Sequence, residues 1–417
     1  MRRYLFFVLA GTLATAAGAG TVNWAVDPYW IWKSPVISGL TEFKPSVRDN
    51  IRIFKIGARR VRPEVVILGT SRADEGLDPQ HPAFAGRRGF NLAAPAETYE
   101  ESLNLFDWVT TEFGAKTVVL TLDFFAANAY GRIPADYRPD NSDRLHEVKL
   151  LLSLDTLVES ARTVAEQKIE RARAAEPGKY NNYREDGLRI VGNNKAREWG
   201  GHRNAFIAVE TTMLNQVYLP LPKCAFAFED AANARFPLRA LSTLIAEAHR
   251  KGIDLRLAIS PIHARLQEAI AAAGLWEQWE EWKRQIVAIN DSAAGRARQP
   301  AYPLWDFSGY SAITTEPVPA INDADTRMNW YWESSHYKKE TGDLVLDLMF
   351  GKMSTVDAAL SKGFGVTLSG AMLDTHLRHI REGRAQFRKN FPADIDEVET
   401  SAANARAQRQ TLGCKNV

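Results

Sequence analysis

Three short runs of continuous apolar residues constrain this chain more than any other feature: 64–68 (EVVIL), 116–125 (KTVVLTLDFF) and 254–260 (DLRLAIS). Continuous rather than alternating apolarity suits strands buried on both faces, as in a parallel sheet. Stretches with helical spacing lie between and after them. Leu103, Phe106 and Val109 mark one over 98–113, and 238–251 is amphipathic and closed by Gly252. Residues 266–289 are helical and carry Trp276, Trp279 and Trp282 at three-residue spacing, a packing stripe. Two shorter strands are expected, near Gly89-Phe90-Asn91 and over 304–307, and a helix over 339–350. Strands alternating with helices predict an α/β fold, a three-layer α/β/α sandwich with a mostly parallel, flavodoxin-like sheet. Ligands of such sheets bind beyond the carboxyl ends of the strands, which limits where chemistry can sit.

The ends of the chain lie outside that pattern. Arg2 and Arg3 precede an uncharged run from Tyr4 to Val26. At about 1.5 Å per helical residue such a run crosses a bilayer core of about 30 Å. The positive flank predicts a cytoplasmic N-terminus with the remainder outside, and Trp24, Tyr29, Trp30 and Trp32 suit the membrane interface. Ala17-Gly18-Ala19 also fits a signal-peptide cleavage site, and either reading exports the chain. We therefore expect residues 1–27 to be a membrane anchor or signal segment and 28–60 a connector. The α/β domain would span 61–350, with a helical and loop insertion at about 130–230 acting as a lid or acceptor surface. Within the insertion Leu150, Leu151, Leu154, Leu157 and Val158 form an apolar stripe. Residues 351–417 read as a charged helical tail, in which His376 and His379 share a solvated face. Basic residues are interspersed with acidic ones and the net charge is +2, so no nucleic-acid partner is expected. Cys224 and Cys414 lack metal-ligand spacing; they can pair in an oxidising compartment, although Cys414 lies in a polar tail.

The residues that carry chemistry stand at two strand ends. Ser71 follows a buried strand and Gly69-Thr70, where it enters the ligand crevice and its amide opens a helix N-terminus that favours developing negative charge. Taken alone, Gly-Thr-Ser also fits an ordinary turn or N-cap. Glu333-Ser334-Ser335-His336 sets an acid three residues before a histidine. A neutral imidazole there can accept the serine proton, and the acid can fix its tautomer. Arg72 can bind an anionic sugar or pair with Asp74 or Glu75. Asp123 can position a helix or a substrate hydroxyl. His263 can reach the crevice or bond a nearby loop, and Trp330, Tyr331, Trp332 and Tyr337 form a rim of aromatics or loop packing.

Gly69-Thr70-Ser71 resembles the first block of the SGNH (GDSL-like) hydrolases, and Glu333-Ser334-Ser335-His336 their last block, with Glu for Asp. Residues 65–79 (VVILGTSRADEGLDP) with Phe90-Asn91-Leu92-Ala93 resemble the membrane-anchored bacterial subgroup of alginate and polysaccharide O-acetylation proteins. The resemblance covers about 65–125 and 250–350. It implies Ser71 as nucleophile, His336 as base and Glu333 as its orienting acid, with Ala93 at the place of the second-block glycine amide. The third block, Gly-x-Asn-Asp, has no match, which leaves Asn91 and Asn128 as candidate side-chain donors to the oxyanion. It further implies no cofactor, a polysaccharide acceptor and a multispan membrane acyltransferase as partner. Localisation is expected at the inner membrane, single-pass, with the main domain in the periplasm. Two alternatives stand beside transfer: a carbohydrate esterase or deacetylase, and a non-catalytic glycan-binding scaffold. A metal-dependent hydrolase finds no suitably spaced ligands in the sequence.

Overall fold

A computed structural model describes residues 1–133, 144–175, 182–192, 195–352 and 363–414. The chain divides into two compact units, Met1–Val61 with Arg138–Asn194, and Arg62–Tyr137 with Lys195–Val417.

The second unit holds a six-stranded sheet. Its strands are β1 (Val65–Leu68), β2 (Gly89–Asn91), β3 (Thr117–Leu122), β6 (Asp254–Ile259), β7 (Leu304–Asp306) and β8 (Val366–Thr367). Their order is β2-β1-β3-β6-β7-β8, with β4 (Asn182–Tyr183) and β5 (Arg189–Ile190) forming a separate pair in the other unit. Five strands are parallel and β8 runs antiparallel to β7. All four residues of β1 are fully buried, as are Val118, Val119, Leu120 and Leu122 of β3, which is the burial that continuous apolar runs demand. Because the five strands are parallel, Leu68, Asn91, Leu122, Ile259 and Asp306 end at one edge.

The connecting helices begin and end on recognisable signals. Thr98 and Glu101 make a reciprocal capping box on helix Tyr99–Trp108. Gly252, at φ 63°, closes helix Pro237–Lys251. The helical stretch expected over 266–289 is two helices, Ala264–Ala272 and Trp276–Ala297, separated at Gly274 with φ 78°. Trp279 and Trp282 are buried in the core.

The C-terminal tail differs from the expected solvated helix. Helices Gly370–Asn390 and Pro392–Thr411 bury Leu377, Ile380, Phe387, Ile395 and Val398. Fully buried Arg265 joins Glu210 (3.0 and 2.8 Å) to Asp394 (3.0 Å) and Glu397 (2.6 Å). His376 is buried and bonds Asp306 at 2.9 Å, while His379 is exposed. Cys224 and Cys414 form a disulfide.

In the first unit, helix Arg2–Val26 is 6% buried over its most apolar window, where mean hydropathy is 1.7, so length and composition suffice to cross a membrane; a signal sequence has the same features. Asn23 near its end donates to Leu151 O (2.8 Å) and Ser153 O (3.1 Å) and accepts from Ser160 Oγ (3.1 Å). The stretch 28–60 is more than a connector: Val47, Ile51 and Phe54 build a small core with Tyr183. The insertion is likewise divided, with 144–192 in this unit and 195–230 in the other.

Candidate active site

Gly69 turns the chain out of β1 at φ 142°, a conformation open to glycine, and a Cβ there would run into Thr121 Oγ1. Thr70 caps helix Ser71–Gly76, its Oγ1 accepting from Arg72 N. Ser71 is thus the first helical residue, with its N–H beyond the reach of intrahelical acceptors.

His336 comes from the opposite side of the cleft. It lies on a loop pinched by an antiparallel bridge between Tyr331 and Tyr337 and by Trp332 N donating to His336 O at 2.9 Å. Inside the loop the Glu333 carboxylate, 3% exposed, accepts from Ser335 N (2.7 Å), His336 N (3.1 Å) and His336 Nδ1. The spacing of three residues therefore has a local cause: one carboxylate folds the loop and orients the ring. The other ring nitrogen, Nε2, stands 2.8 Å from Ser71 Oγ. With Nδ1–H donated to Glu333, Nε2 is the acceptor for the serine proton.

Arg72 holds the two sides together. Its guanidinium pairs with Asp123 and donates to Ser335 O (Nε, 3.2 Å) and Ser335 Oγ (3.2 and 3.1 Å). Burial, the largest single effect, works against its charge, but Asp123 together with Tyr218 and Glu333 holds the guanidinium above its ordinary value. Asp123 also accepts from Thr70 Oγ1 at 2.6 Å. Arg72 is therefore buried and paired with Asp123, neither aimed at an anionic sugar nor bonded to Asp74 or Glu75 as expected. Asp123 positions helix Ser71–Gly76 and lies too deep to meet a substrate hydroxyl.

The expected oxyanion donors are engaged elsewhere. Asn91 Nδ2 donates to Ala73 O (2.8 Å) and Leu77 O (2.9 Å), tying down helix Ser71–Gly76, and Asn91 Oδ1 takes the Ala93 N–H (3.0 Å). Asn128 lines the cavity, but its Nδ2 donates to Tyr218 O (3.2 Å) and Ala225 O (3.4 Å). The Ser71 N–H is left as the donor in place. His263 does not reach the crevice. It is buried, bonds Glu316 O through Nε2 at 2.8 Å, accepts from Arg265 N through Nδ1 at 3.2 Å, and supports the His336 loop by donating its own N–H to Ser334 O. Burial, the largest cause, pulls its pKa down to about 4. Tyr331, Tyr337 and Trp332 are buried and half-buried Trp330 packs against the core, so the aromatic rim is loop packing.

Ser71 and His336 open onto a cavity of about 450 Å³. Helix His202–Thr212 and the π-helical turn Met213–Val217 supply one wall; they fall in the insertion expected to act as a lid or acceptor surface, although the sequence alone singles out none of their residues. Val209, Thr212, Met213, Gln216 and Val217 follow the spacing of one helix face, a signal present in the sequence that gave no indication of what the face adjoins. Ala96 also lines the cavity in a left-handed conformation, φ 53°, with its carbonyl held by Arg132 at 3.0 Å. No glycine or asparagine marks that position. Among the described residues no group of three or more His, Cys, Asp or Glu is arranged to hold a metal ion. Compared with known protein families, curated proteins and solved structures, the chain finds no match.

Proposed function

We propose that this chain is a serine-dependent acyl-transfer enzyme of SGNH type, acting outside the cytoplasmic membrane on an envelope or secreted polysaccharide. The observation that carries the reading is the file Ser71 Oγ, His336, Glu333, with 2.8 Å between Oγ and Nε2 and the serine open to a cavity. Ser71 Oγ attacks the acyl carbonyl as His336 Nε2 takes its proton, and Glu333 stabilises the imidazolium. The Ser71 N–H faces the oxyanion from the helix N-terminus. Collapse breaks the bond from acyl carbon to leaving oxygen, and His336 returns the proton to that oxygen. An acceptor hydroxyl, deprotonated by His336, then attacks the acyl carbon; the bond to Ser71 Oγ breaks and His336 returns the proton to Oγ, and water in place of the acceptor makes the enzyme an esterase.

The strand order supports reading the sheet as a flavodoxin-like, three-layer sandwich. The apolar N-terminal helix and the disulfide support a periplasmic domain tethered to the inner membrane, where a multispan acyltransferase can deliver the donor. The competing reading is a glycan-binding scaffold, favoured by the prior engagement of the Asn91, Ala93 and Asn128 donors. One assay separates the two. The full-length protein in detergent should hydrolyse a chromogenic ester, and Ser71→Ala should lower kcat at least ~10³-fold. A folded wild type with no turnover and no labelling by a serine-directed phosphonate leaves the scaffold.

A further inference from the structure

The cavity beside Ser71 is far larger than an acetyl group requires. At about 450 Å³ it has roughly three times the volume of a 150 Å³ apolar cavity that accepts benzene. Val209, Met213 and Val217 on the helix 202–217 line it, as does Phe125. Most polar side chains of its lining already have partners within the protein. Arg132 pairs with Glu101 at 2.7 Å and bonds Ala96 O, Arg235 bonds Arg132 O at 3.0 Å, and the Asn128 amide is taken by two carbonyls. A sugar buried there would leave hydroxyls unpaired, whereas an alkyl chain asks only for apolar wall.

From this we infer that the acyl group handled at Ser71 is a medium-length alkyl chain, not acetyl. The inference rests on the serine reading above. Its carbonyl would meet Ser71 Oγ while the chain runs along the Val209–Val217 face. The helix changes to π geometry over Met213–Val217, a distortion frequent at functional sites because it re-aims side chains.

Full-length protein in phospholipid nanodiscs, as wild type, Ser71→Ala and Met213→Trp, tests this with p-nitrophenyl acetate, butanoate and octanoate. Each methylene moved from water to wall is worth about fourfold, so octanoate should exceed acetate in kcat/KM by at least ~10-fold. Met213→Trp should cut that octanoate-to-acetate ratio at least ~10-fold. A photoreactive octanoate with a terminal diazirine should label the 209–217 segment in wild type and in Ser71→Ala alike. Ser71-dependent turnover that is as fast on acetate as on octanoate overturns the chain-length inference and keeps the serine reading. Absence of label from 209–217 also overturns it. Label at 209–217 without Ser71-dependent turnover keeps the chain site and removes the serine reading.

Discussion

At the residue scale the site is organised by side chains that never touch the cavity. Arg72 and Asp123 are a buried pair whose hydrogen bonds reach Thr70 on one side and Ser335 on the other, so the Ser71 turn and the His336 loop share one charged anchor. His263 does similar work under the His336 loop and must remain neutral to do so, because its Nδ1 accepts the Arg265 N–H. Its folded pKa of about 4 lies below the ordinary 6.5, so the unfolded chain binds the proton more readily. Stability from this group is complete above pH 6.5, declines as pH falls towards 4, and levels below it. The window corresponds to roughly 3 kcal/mol. Denaturant unfolding at pH 7.5 and pH 4.5 should show the loss, and His263→Gln should flatten it; equal slopes in both proteins would refute the assignment. The acid–histidine spacing of the site was legible in the sequence because Glu333 folds its own loop. The partners of Asn91 and Ala93 were not, because their hydrogen bonds depend on how helix 71–76 returns over β2.

At the scale of elements, the decisive contact is between helix Ser71–Gly76 and helix Lys339–Met349, which follows the base loop. A Cβ on Gly342 would strike Gly76 O, and one on Gly76 would strike the Tyr337 ring. Alanine at 342 gains about 1 kcal/mol of helix propensity, but the obstacle is backbone and cannot rotate away. Gly342→Ala should therefore destabilise by about 1–3 kcal/mol and lower ester turnover by displacing Ser71 from His336. Paired measurements of denaturant midpoint and kcat test this, and a net stabilisation near the propensity gain would sink the close-packing account. The buried strands were readable because continuous apolar runs have one solution. Helix Leu154–Ala165 shows the limit: its period is as expected, yet Leu154 and Val158 are 73% and 66% exposed while Thr156, Ser160 and Thr163 are buried. Periodicity fixes a face, and only the surroundings fix which way it points. Here Asn23 supplies a polar partner for Ser160, so the polar side turns inward.

On the scale of the whole molecule, the C-terminal tail braces the wall of the cavity. Helix Pro392–Thr411 meets the 202–217 segment through Arg265, which links Glu210 to Asp394, and through Arg409 to Leu214 O. The Cys224–Cys414 disulfide then closes the far end, across a sequence separation of 190. A cysteine in a polar terminal stretch gave little indication of this partner, because the pairing depends on how helices far apart in the sequence pack together. A crosslink over so long a loop restricts the unfolded chain strongly, and native disulfides typically contribute about 2–4 kcal/mol. The Cys224→Ala/Cys414→Ala protein should melt roughly 3–6 °C lower. A thiol reductant should lower the wild-type melting temperature towards that of the double variant and leave the variant unmoved. The brace also acts on the cavity wall, so loosening it should weaken turnover of long-chain esters more than of short ones. If reduction leaves both the melting temperature and the chain-length ratio unchanged, the tail is held by its ion pairs and helix packing alone, and the disulfide is incidental to the cavity.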